Sequence, residues 1–76
     1  MKQELHLTVI LEPQPEGGFT VSVPALPEIA TEGETEEEAL SMATDAIRFV
    51  LDYRKEHKLP MPDDILPTMR TIKIAA

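Results

Sequence analysis

The sequence predicts an α+β fold in which one antiparallel sheet packs against one long helix, in the order β-β-β-α-β. Three observations carry this prediction. Apolar and polar residues alternate over Leu5–Leu11, Phe19–Val23 and Met69–Ala75, the two-residue period of half-buried strands. From Thr35 to about His57 the period changes to that of a helix. Clusters of proline, glycine and acidic residues separate these segments and supply the turns between them.

In the first strand Leu5, Leu7, Val9 and Leu11 share one face, with His6, Thr8, Ile10 and Glu12 on the other. The turn at Pro13–Gly18 ends in Gly17 and Gly18, which adopt positive φ at little cost. Phe19, Val21 and Val23 then form the inward face of a second strand, antiparallel to the first. Pro24–Pro27 holds two prolines, which lack ladder donors, and reads as a rigid extended connection. Glu28–Glu32 is a short, charged third strand suited to a sheet edge, closed by Gly33.

Thr35 opens the helix as its cap, with Glu38 three residues on in capping-box spacing. Glu36, Glu37 and Glu38 place negative charge in the first turn, and Arg54, Lys55 and Lys58 place positive charge at the far end, as the helix dipole favours. Pro60 and Pro62 stop it. Ala39, Ala43, Ala46, Ile47, Val50 and Arg54 share the face expected against the sheet, widened by Leu40 and Leu51. Met42, Phe49 and Tyr53 form a second stripe, so the apolar arc spans roughly 200°, against the roughly 100° that one surface needs. About 22 residues of helix reach about 33 Å while a seven-residue strand reaches about 23 Å. One end of the helix must overhang. Past it, Ile65 and Leu66 are expected to tuck under the sheet, and Met69–Ala75 to add the last strand.

Seventy-six residues make one domain, 1–76, with a small core for which self-association is a common remedy. The chain has no cysteine, so neither a disulfide nor a thiolate zinc site can brace it. No run is long enough to span a membrane and no signal-peptide core is visible, so the expected location is cytoplasmic, with no membrane contact. Seven basic residues against fourteen acidic give a net charge of −7, which repels nucleic-acid phosphates and suits a basic protein partner.

Three stretches, Glu16–Phe19, Val23–Pro27 and Thr31–Ala39, follow one another as E-G-G-F, V-P-A-L-P and T-E-G-E-T-E-E-E-A before a long helix. In order and spacing they resemble the HicB antitoxin family, over about Leu7 to Pro62. The resemblance implies a partial RNase H-like fold of β-β-β-α-β order. It also implies an antitoxin of a type II toxin-antitoxin system, neutralising a small basic HicA-like ribonuclease that cleaves mRNA. Glu28 departs from the family's usual glycine after the Leu-Pro pair, and Ile29 stands at an aliphatic or cysteine position. Many HicB antitoxins continue into a DNA-binding domain that the sequence does not contain, so direct DNA binding is not expected.

The run Glu28–Glu38 carries six glutamates and no base. Glu28, Glu32 and Glu34 are the candidates for contacts to a toxin's basic patch; a solvated edge is the bland alternative. Met42, Phe49 and Tyr53, together with Ile29, are the candidates for a homodimer or higher homo-oligomer contact, with core packing as the alternative. An RNase H-like fold also raises a degenerate metal-dependent nuclease. Such chemistry needs converging carboxylates, and Glu12, Asp45 and Asp52 are its only candidates. Asp45 and Asp52 lie on the wet helix face, and His6 and His57 lack neighbours for a metal or general-base role. Gly17 and Gly18 precede no helix and no lysine, so no phosphate loop is present. The expectation is a binding protein, not an enzyme, with no cofactor or metal. An orphan HicB-like oligomer acting without a toxin is the remaining alternative.

Overall fold

The structure, a computed structural model, describes residues 4–76. Residues 1–3 of the expected single domain lie outside the described residues. Three strands, β1 (Ile10–Pro13), β2 (Phe19–Ser22) and β3 (Ala30–Gly33), are followed by one helix, α1 (Glu36–Glu56). The strands pair antiparallel in the order β1-β2-β3, with Leu11 opposite Val21 and Val21 opposite Thr31. The result is the α+β layer expected, one antiparallel sheet against one long helix.

The register explains where the ladder begins and ends. Gln14 N–H donates to the Gly18 carbonyl at 3.0 Å and closes the first hairpin, with Gly17 and Gly18 at φ of 100° and 80°. Pairing continued from Ile10 opposite Ser22 would bring Thr8 opposite Pro24, which has no N–H to give. The first strand is therefore shorter at its start than the alternation predicts. At its other end Pro13, opposite Phe19, falls at a position whose nitrogen points away from β2, so the missing donor does no harm there.

Beyond Ser22 the chain does not extend as predicted. Leu26 N–H donates to the Val23 carbonyl at 2.9 Å and Ile29 N–H to the Leu26 carbonyl at 3.0 Å, forming two consecutive turns. These turns fold Leu26 inward, where it is fully buried with Val23 and Ile29 under Ile47 and Val50. A second cluster joins Val21 to Ala39 and Ala43. The helix face legible in the sequence is thus the buried one, although Leu40 on its flank stays exposed. Ile29, expected at an oligomer contact, is 6% exposed; the turns place its side chain in the chain's own core.

Thr35 caps α1, its Oγ accepting from Glu38 N–H at 3.0 Å, while a Glu38 carboxylate oxygen accepts from Glu34 N–H at 3.3 Å. The helix ends before the prolines do their work. Lys58 takes a positive φ of 55°, Lys58 N–H donates to the Lys55 carbonyl and Leu59 N–H to the Arg54 carbonyl, a Schellman closure with lysine where glycine is usual.

The fourth strand expected over Met69–Ala75 does not form; those residues are irregular and exposed. Ile65 and Leu66 do not tuck under the sheet either, being 53% and 78% exposed. Past Pro62 the tail is instead fastened at Asp64. Thr8 donates from its backbone N–H and from its hydroxyl to the two Asp64 carboxylate oxygens, each at 2.7 Å. Beyond that pin it runs outward, giving a radius of gyration of 14.9 Å against about 11 Å for a compact chain of this length. Alternation alone makes a strand only where a neighbouring strand lies within reach.

The backbone N–H of Thr8, then its hydroxyl, hold the Asp64 carboxyl below its ordinary value of 3.8 by favouring the ionised form. Because the folded-state value is the lower one, the pin contributes above about pH 4 and is lost as pH falls through the folded value. Acidification below pH 3.8 is expected to release the chain from Asp64 onward before the sheet and helix melt. Limited proteolysis checks this: Asp64→Ala should show at pH 7 the tail cleavage that the native chain shows only in acid.

Candidate partner-binding surface

Two structural choices bring the acidic residues together. The Gly17–Gly18 turn swings Glu16 back towards the end of β3. Gln14 holds that turn, its amide donating to the Glu12 carbonyl and to the Thr20 hydroxyl, each at 3.1 Å. On the other side Gly33 lets β3 meet the helix start with no side chain between them. A Cβ built there would lie 2.4 Å from the Ala39 nitrogen. Between turn and helix opens a cleft of about 660 Å³, bordered by Glu16, Glu32, Glu34 and Glu38 with Phe19 and Met42 as its apolar part.

The cleft has four carboxylates and no base among its bordering residues. Glu38 is partly engaged by the Glu34 backbone, but among the described residues Glu16, Glu32 and Glu34 have no ion-pair partner. Such an array attracts a cationic surface from a distance, and the apolar patch beside it offers an anchor once contact is made. Of the three sequence candidates, the fold brings Glu32 and Glu34 together here. It does not bring Glu28. The Glu28 carboxylate sits 3.5 Å from Arg54 on the last turn of α1, and that guanidinium also donates to the Pro60 carbonyl at 3.3 Å. Sequence reasoning missed Glu16 and Phe19. The signal was the hairpin itself: pairing Phe19 with Gly33 puts the turn beside the end of β3.

The second helix stripe is bare. Met42, Phe49 and Tyr53 are 45%, 75% and 52% exposed, and the Tyr53 ring lies 4.2 Å from that of His57. Among the described residues no three acidic or histidine side chains converge in a metal-holding group, so Glu12, Asp45 and Asp52 do not form the constellation that two-metal nuclease chemistry requires. Among the same residues, no helix is long and apolar enough to cross a membrane.

No family model matches the chain, and no solved structure gives a significant match. Curated relatives do. Antitoxin HicB 1 of Photorhabdus laumondii is 42% identical over 65 residues, covering 83% of this chain and 42% of that protein. Antitoxin HicB of Escherichia coli K12 is 41% identical over 63 residues, covering 80% of this chain and 46% of that one. A UPF0150 protein of Thermoplasma acidophilum is 40% identical over 60 residues, covering 79% of this chain and 87% of its own. The chain thus spans under half the length of the two antitoxins and most of the UPF0150 protein. On this likeness the chain belongs to the HicB family.

Proposed function

We propose that this chain is an antitoxin-type binding protein that neutralises a small basic ribonuclease of the HicA kind by occluding its active surface. The observation that carries this is the cleft of Glu16, Glu32, Glu34 and Glu38 beside Phe19 and Met42. The antitoxin names of its relatives support the same reading. Acting in the cytoplasm, the acidic surface takes the place of the RNA phosphates on the toxin's basic face, while the apolar pair supplies contact that charge alone does not. The role is binding, without catalysis and without direct contact to DNA, from which a net charge of −7 is repelled. The bare stripe of Met42, Phe49 and Tyr53 belongs to self-association.

A HicA-type ribonuclease titrated with the chain, with RNA cleavage as the readout, tests this. The native chain should suppress cleavage near one-to-one, with association slowing as salt rises. Glu16→Lys combined with Glu34→Lys should slow association about tenfold or more, since both residues face the cleft and neither supports the core. Equal protection by that variant would remove the electrostatic role of the cleft. A chain that leaves every such ribonuclease active would instead be an orphan oligomer.

A further inference from the structure

The sheet stops at an edge that is ready to pair. The hairpin bond from Gln14 N–H to the Gly18 carbonyl sets the alternation of the ladder. Phe19 and Val21 therefore bond to Gly33 and Thr31, and the N–H and C=O groups of Ala30 and Glu32 point out of the sheet. Over β3 and the neighbouring part of β2 lies a groove of about 550 Å³ bounded by Thr20, Val21, Ala30, Thr31, Glu32 and Met42. The opposite edge, β1, is the poorer template, because Pro13 presents no donor there.

The same chain carries a segment with the matching properties and no place in its own sheet. Met69, Ile72 and Ile74 are 89%, 78% and 75% exposed. Residues 68–76 hold Arg70 and Lys73 and no acid, a charge of +2 in a molecule whose remaining residues sum to −9. The pin between Asp64 and Thr8 starts this tail at the β1 side, two strands from the β3 edge. A second molecule's tail meets no such obstacle.

We propose that residues 69–75 add as a fourth strand to the β3 edge of a second copy, each tail of a two-fold dimer completing its partner's sheet. A strand seated there alternates in step with β3. Ile72 and Ile74 fall on the helix side against Met42, and Lys73 falls on the open face beside Glu32, an opposite-charge cross-strand pair. The pairing satisfies the outward backbone groups of Ala30 and Glu32 and covers apolar surface on both partners. This sharpens the self-association named above; it engages Glu32 and Met42, which also border the cleft, and leaves Glu16, Glu34, Glu38 and Phe19 to a basic protein.

Sedimentation equilibrium of the purified full chain is the test. The native chain, 8.5 kDa as a monomer, should sediment at twice that mass. Ile72→Asp with Ile74→Asp should weaken the dimer at least 100-fold with an unchanged circular dichroism spectrum, since neither side chain supports the monomer's fold. Lys73→Glu and Glu32→Lys should each weaken it about tenfold, and the two together should restore it. Hydrogen exchange should find the Ala30 and Glu32 amides protected only in the dimer. A native monomer, a dimer indifferent to Ile72 and Ile74, protection along β1 instead of β3, or charge reversals that do not rescue each other would overturn the proposal. A monomer that still silences a HicA-type ribonuclease would leave the antitoxin role standing and remove only the strand exchange.

Discussion

Gly33→Ala is expected to be among the most damaging single substitutions in the chain, costing about 3 kcal/mol or more of folding stability. The new Cβ would lie 2.4 Å from the Ala39 nitrogen and 2.6 Å from its Cα, and these are backbone atoms that no rotamer change can move aside. Relief requires the end of β3 and the first turn of α1 to separate. That opens the Val21, Ala39 and Ala43 cluster and breaks the capping arrangement around Thr35 and Glu38. A domain of this size has only about 4–11 kcal/mol in total to lose. Gly17→Ala is the control: its φ of 100° strains an alanine, but nothing lies within 4 Å of the added methyl, so the cost should stay near 1 kcal/mol. Urea denaturation of the two variants checks the contrast. A Gly33→Ala chain within about 1 kcal/mol of the native one would mean that β3 and α1 do not approach as closely as described.

The sequence made this helix legible because its signals are local. A cap, three glutamates in the first turn and alanines at helical spacing all lie within 21 consecutive residues. The three strands were equally visible in kind but not in extent, because their ends depend on register, a relation between segments. Pro24 shortens the first strand by falling opposite Thr8, sixteen positions earlier in the chain. Leu26 was read as part of an extended linker for the same reason: the prolines flanking it are local facts, whereas the pocket it fills is assembled from Leu7 and Val9, ahead of the first strand, and the middle of the helix. The Met69–Ala75 alternation promised a strand and delivered an unpaired tail, since an alternating pattern specifies a face and not a partner. In the candidate site, Glu32 and Glu34 were reachable from charge density alone. Glu16 needed the hairpin register, and the diversion of Glu28 to Arg54 needed the position of the far end of the helix.

Leu26→Ala carries the second large expectation, a loss of about 2–5 kcal/mol, because it deletes a fully buried side chain and leaves a cavity. Its position within that range depends on whether the surroundings can collapse. Here they are held on two sides. The turns that bury Leu26 are closed by hydrogen bonds of 2.9 and 3.0 Å and stiffened by Pro24 and Pro27, so the loop cannot sink into the space. Across from it Ile47 and Val50 sit on a helix anchored at its other end by Ala39 and Ala43 against the sheet. Little relaxation is available, and the cost should lie in the upper half of the range, comparable to Gly33→Ala but with a different signature. Leu26→Met, close in volume, should recover all but about 1 kcal/mol, whereas no side chain can rescue position 33. A thermal melt of the methionine variant separates the two mechanisms: if it is as unstable as the alanine variant, shape at the loop backbone and not the filled volume holds this end of the core together.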